Sequence, residues 1–181
     1  MISITIPVSE WYDETHHEVI EIKKPMVLNM EHSLISISKW ESFYKKAFLT
    51  SEKTTEEWFY YFYCMLLNPA GIDRRIFYMI PQTEFQRVQE YMADPMTATT
   101  ISKTDEEKKS PRIMTSEELY CAMSMLNVPY ECQKWHINRL IVLLEVCAIR
   151  NAPDKKMSKA QAASSWAKTN ARNRAKFKSK G

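Results

Sequence analysis

Ile2, Ile4, Ile6 and Val8 alternate with Ser3, Thr5 and Pro7 at the head of the chain. A period of two predicts a half-buried strand, and the proline favours a sheet edge. After a polar turn around Asp13 and Glu14 come "EVIEI" and "MVLNM", separated by Lys23, Lys24 and Pro25. Together these segments predict a small antiparallel sheet. The period then changes. Leu34, Ile37, Trp40, Tyr44 and Phe48 recur at helical spacing, with Glu31, His32 and Ser33 at the join. Ser33 is placed to cap that helix, so the three polar residues mark a corner between strand and helix.

Helical patterning dominates from there. Thr54 with Glu57, and Thr115 with Glu118, have the spacing of capping boxes, in which side chains satisfy the unpaired amides of the first turn. The segment opened by Thr54, "TTEEWFYYFYCMLLN", is apolar almost all the way round, which predicts a central element or half of an interface. A further helix is expected from Pro81 or Thr83 to Ala93. Between Met96 and Met114 a hairpin is expected, with its tip at Asp105 to Ser110. Leu119, Ala122, Met123 and Leu126 make one helical face. A turn at Asn127 to Pro129 leads to a long helix with the stripe Ile137, Leu140, Ile141, Leu144 and Ala148, flanked by Trp135 and Leu143.

Composition narrows the choice of function. The chain has 181 residues, of which 45% are hydrophobic and 26% charged, as in a globular protein with one core. Its only glycines are Gly71 and Gly181, so no glycine-rich loop can bring backbone amides against a phosphate. No apolar run is long enough to cross a bilayer, no signal peptide is recognised, and a cytoplasmic location is expected. Cys64, Cys121, Cys132 and Cys147 are isolated in apolar surroundings and read as buried free thiols.

The net charge of +3 conceals an asymmetry. From Asp154 to Gly181 there are nine Lys and Arg against one Asp, a balance of +8, which leaves −5 for residues 1–153. The expected organisation is one acidic α+β domain over residues 1–153, mainly helical with a small N-terminal antiparallel sheet. Residues 154–181 are expected to form a basic helical tail, opened by a third capping box from Ser158 to Gln161. Lys155, Lys156, Lys159, Lys168, Arg172, Arg174, Lys176, Lys178 and Lys180 could release counterions from nucleic acid, and Trp166 or Phe177 could stack on a base. A solvated basic extension and docking on an acidic protein partner are the alternatives that the segment's own residues leave open.

Candidate chemistry is sparse. His16, His17 and Glu18 lack a second ligand pair at metal spacing, so no metal site or cofactor is expected. Cys132 and His136, four apart on the expected long helix, would need a third partner to act as nucleophile and base. The acid pairs Glu56–Glu57 and Glu117–Glu118 are explained by the dipole of the first helical turn. Thr115 to Ala148 reads as helix, turn, helix, and Gln133, Lys134, Asn138 and Arg139 could form a DNA-reading face. Phe43, Tyr44, Phe48, Trp58, Tyr61 and Phe62 are the candidate partner-binding residues. Six consecutive aromatics from Trp58 to Tyr63 point in every direction on a helix: either the helix is sandwiched, or one side is adhesive.

Three runs carry a resemblance: Glu31 to Leu34, Ser38 to Glu41, and Glu131 to His136. With the sequence between about Val27 and Lys159, they resemble a family encoded by tailed bacteriophages and prophages, similar to the tail assembly chaperones of long-tailed phages. The resemblance implies a non-enzymatic protein in the cytoplasm of the bacterial host. Its partners would be the tape measure protein and the tail tube protein, and a longer form could arise by ribosomal frameshifting. An N-terminal sheet departs from the mainly helical character of that class, and no catalytic residues are carried over. Eleven methionines suit contacts that repack against different helices.

Overall fold

The computed structural model describes residues 1–101, 114–152 and 159–177, and it is an α+β fold, mainly helical, with a small antiparallel strand set at the N-terminus. The order is β1 (Ile2–Ile6), β2 (Ser9–Asp13), β3 (Glu18–Ile22), β4 (Met26–Met30), α1 (Leu34–Tyr44), α2 (Thr55–Met65), a 3-10 segment (Arg74–Met79) and α3 (Gln82–Ala93). After these come α4 (Ser116–Met125), a second 3-10 segment (Tyr130–Lys134), α5 (Ile137–Asn151) and α6 (Lys159–Phe177).

The strands form two separate two-stranded ladders, β1 with β4 and β2 with β3, nested as one long hairpin with a break. Ile6 pairs with Met26 below the break and Ser9 with Ile22 above it, so Pro7 and Val8 oppose Lys23, Lys24 and Pro25. A proline on each side removes ladder donors, and the extra residue on one side acts as a bulge does. The consequence is a change of phase. Ile4 and Ile6 face the core on β1, but on β2 the inward positions are odd-numbered, with Trp11 half-buried and Asp13 buried. Val8, expected to continue the inward alternation, is therefore exposed.

Ser33 starts α1 as expected, its Oγ accepting the Ser36 amide. Trp40 is fully buried and its Nε1 donates to the Glu57 carbonyl at 3.0 Å, tying α1 to α2. Glu41 is also buried and accepts two amides, Phe48 N and Ser116 N, each at 2.7 Å. One carboxylate therefore fixes both the turn after α1 and the start of α4. Thr54 and Glu57 make the reciprocal capping box of α2, and Lys46 reaches the Glu57 carboxylate at 2.5 Å. Thr115 Oγ1 accepts the Glu118 amide at the head of α4.

α2 is the sandwiched element. Tyr61, Phe62, Cys64 and Met65 are buried, and its rings meet α1 through the Phe43–Tyr60 stack and α3 through Phe59 and Phe62 against Phe85. Its end is sewn to β4 by Glu31 N to Met65 O and Leu67 N to Asn29 O. The six-ring run thus serves two packing directions.

Some expectations need correction. Ala148 is exposed rather than part of the α5 stripe, which is buried at Ile137, Leu140 and Leu144. Cys121 is exposed, whereas Cys64 and Cys132 are buried and Cys147 is half-buried. Residues 97–101 join no ladder, and the expected hairpin tip at Asp105 to Ser110 lies outside the described residues. By its internal contacts the chain divides into one compact unit, residues 1–148, and a second, residues 149–181. Ser158, Lys155, Lys156, Lys178 and Lys180 lie outside the described residues, as do the side chains of Lys159, Gln161, Lys168 and Phe177. No described helix is long and apolar enough to cross a membrane.

Candidate functional site

Two aromatic regions collect the residues that the sequence singles out. The first is buried and is where Glu31, His32 and Ser33 meet His136. His32 O accepts the Ile137 amide at 2.7 Å, and Ser33 and His136 form an isolated β-bridge. His32 Nδ1 lies 2.5 Å from the Tyr61 hydroxyl, and its ring meets His136 edge-on at 5.0 Å. His136 Nε2 donates to the Tyr91 carbonyl at 3.0 Å while its Nδ1 accepts the Asn138 amide. The Tyr91 hydroxyl in turn donates to Glu31. Burial, with His136 and Lys53 nearby, lowers the His32 pKa to about 3, and burial lowers that of His136 as well. Both imidazoles are therefore neutral near pH 7.

This junction is a corner clamp. His32 Nδ1 and both nitrogens of His136 are held by a hydroxyl or a backbone group, and Cys132 does not share a helix face with His136. The reason is local: Cys132 sits in the 3-10 segment Tyr130–Lys134, Trp135 is extended, and α5 begins at Ile137. The expected pairing of the two on one helix does not form. Burial also pushes the Cys64 thiol up to about 12, which keeps it protonated and inert.

The second region is an open groove of about 640 Å³. β2 supplies Trp11, Tyr12 and Asp13; Phe43 and Tyr44 come from the end of α1, Phe59 and Tyr60 from α2, and Arg74 and Tyr78 from the first 3-10 segment. Trp11 stacks on Tyr78 with ring centroids 4.8 Å apart and planes 4° from parallel. In the same lining, Phe43 stacks on Tyr60 at 4.5 Å, and Tyr44 meets Tyr60 edge-on. Phe43 is 54% exposed, Tyr12 50% and Tyr78 38%, so part of the aromatic lining is open to solvent.

Ion pairs join the hairpin to the first 3-10 segment. Arg75 bridges Asp13, Glu18 and Asp73 at 2.8 to 3.0 Å, pinning the hairpin to the 3-10 segment. Burial would raise the Asp13 carboxyl, but Arg75, His16 and backbone amides override it and hold it at about 2. His16 Nδ1 lies 2.7 Å from Asp13, and His17 Nδ1 is 3.2 Å from the Tyr12 hydroxyl. The histidine pair thus shapes the turn. Among the described residues, no three His, Cys, Asp or Glu side chains converge as a metal-holding group.

The six expected partner-binding residues are split by this geometry. Phe43 and Tyr44 line the groove, and Trp58 is half-buried beside Lys53, whose Nζ lies 5.2 Å from its ring. Phe48, Tyr61 and Phe62 are buried, so they belong to the core and not to a contact surface. Trp11 and Tyr78 were not singled out in the sequence; the inward phase of β2 and the 3-10 geometry bring them together. Of the expected DNA-reading residues, Lys134 is exposed, and the other three have partners within the chain. Gln133 accepts the Tyr120 hydroxyl, Asn138 donates to Met92 O and Asp94 O, and the Arg139 guanidinium lies 4.2 Å over the Trp135 ring.

Compared with protein-family models, curated proteins and solved structures, the chain shows no match.

Proposed function

We propose that the protein is a non-enzymatic tail assembly chaperone of a tailed phage, holding an apolar helical client in the groove between the β2–β3 hairpin and the helices. The candidate clients are the tape measure protein and the tail tube protein, and the compartment is the cytoplasm of the bacterial host. The observation that supports this reading is the groove itself, lined by partly exposed rings, with the hairpin side pinned to the first 3-10 segment by the Arg75 ion pairs. Rigid aromatic walls bury much apolar area at small entropy cost, and they tolerate clients of varied sequence.

Co-expression with the tape measure protein of the same phage tests it. The expected result is a gain in soluble client that Phe43→Ala and Tyr78→Ala reduce; unchanged client solubility with the intact chain rejects the reading.

A second reading rests on α6, where Trp166, Arg172, Arg174 and Lys176 are exposed. A helix so furnished suits single-stranded nucleic acid, by counterion release and stacking. This reading requires an affinity that falls steeply with salt and vanishes when residues 154–181 are removed.

A further inference from the structure

The two halves of the N-terminal hairpin are fastened differently. The β1–β4 ladder is anchored in the core: Ile4, Ile6, Leu28 and Met30 are buried, and β4 is sewn to the end of α2. The β2–β3 ladder reaches the core through Ile22, at its base beside the break. Further out its inner positions are Ile20 and Trp11, both half-buried, and the buried carboxylate Asp13. A two-stranded ladder is marginal by itself in water, so β2–β3 depends on what it docks against. It packs on the first 3-10 segment, and the fastenings lie away from the break: Trp11 stacks on Tyr78, and at the turn end Arg75 joins Asp13 and Glu18. At the other end the pairing is interrupted at Pro7 and Val8 on one side and at Lys23, Lys24 and Pro25 on the other.

We infer that the β2–β3 ladder is a hinged side of the groove, which undocks as a unit about the interruption and takes Trp11 and Tyr12 with it, and that Arg75 is the latch holding it closed. A few residues at an interrupted element absorb the change of backbone angles that a hinge requires. Arg75 suits the latch because one guanidinium holds the last residue of β2, the first residue of β3 and Asp73 on its own segment. A single side chain therefore clamps both strands. A side that opens admits a helical client laterally rather than by its end, a role that rests on the function proposed above; the hinge and the latch are properties of the chain alone.

Amide hydrogen exchange of the full chain, resolved by residue with NMR and corrected for intrinsic rates, tests this. An undocked two-stranded ladder frays, so its amides report the opening. In the intact protein the paired amides of β2 and β3 are expected to exchange as one group, about tenfold or more faster than those of β1 and β4. Arg75→Met keeps most of the side-chain length without the ion pairs. It should speed exchange in β2 and β3 by a further factor of about ten and leave β1, β4 and the helices unchanged. A common rate for the two ladders in the intact protein overturns the inference. So does an Arg75→Met chain in which β2–β3 exchange is unchanged, or in which both ladders or the whole fold loosen together. The readout needs no client, so these outcomes are independent of whether the groove binds one.

Discussion

The junction around His32 and the groove around Tyr78 are built from the same materials, yet they do opposite things. In the junction, His32, Tyr61 and His136 are buried with hydrogen bonds to hydroxyl and backbone partners. In the groove, Phe43, Tyr12 and Tyr78 are at least a third exposed. Aromatic density therefore says little by itself. What separates the two is whether the rings are buried or left open to solvent, and the open arrangement depends on the phase change at Pro7 and Val8 that brings Trp11 against Tyr78.

The sharpest way to break the comparison is to remove the core ring that both regions lean on. Trp40 contacts Tyr44 at 5.0 Å and Phe48 at 5.2 Å, so it backs the groove wall as well as the core. Trp40→Ala should cost about 3 to 5 kcal/mol in urea unfolding, from the lost burial and the cavity left behind. A smaller loss, about 1 to 3 kcal/mol, is expected for Glu41→Ala, because the buried amides of Phe48 and Ser116 lose their acceptor.

Acid titration separates the two regions. Both junction histidines have folded pKa values below the ordinary 6.5, so the unfolded chain takes up protons first. Their contribution to stability is complete above pH 6.5 and is lost as pH falls from there towards about 3, the folded value of His32. The slope should approach about 1.4 kcal/mol per pH unit for each histidine involved. Denaturation midpoints at several pH values between 7 and 4 measure it, and His32→Gln should flatten the curve. The smallest effect is expected in the groove, where Phe43→Ala should change stability by less than about 1 kcal/mol, since the ring is half exposed. A large loss there would mean that the groove is structural after all.

The elements were largely legible in the sequence because their signals are local. Ser33, Thr54 and Thr115 start helices where their side chains can reach the third amide, and the periods of β1, β3, β4 and α1 mark their inner faces. β2 was not legible. Its buried residue is Asp13, a carboxylate held in the interior by Arg75, 62 positions later, together with His16 and backbone amides of the turn. Pairing across such separations leaves no periodic trace. The same limit hid half of the groove: Phe43 and Tyr44 stood out on a helix, but Trp11 and Tyr78 acquire meaning only when the hairpin folds back. Phe48, Tyr61 and Phe62 erred the other way, since a run of aromatics does not show which rings a third helix will cover.

The central claim is that the groove, and not the aromatic run as such, holds the client. Its most direct measurement is the soluble yield of the co-expressed tape measure protein with the intact chain, with Tyr78→Ala, and with Trp58→Ala as the half-buried control outside the groove. The account predicts that the intact chain and the Trp58 variant raise soluble client alike and that the Tyr78 variant does not. Equal client solubility with the Tyr78 variant and the intact chain would contradict it.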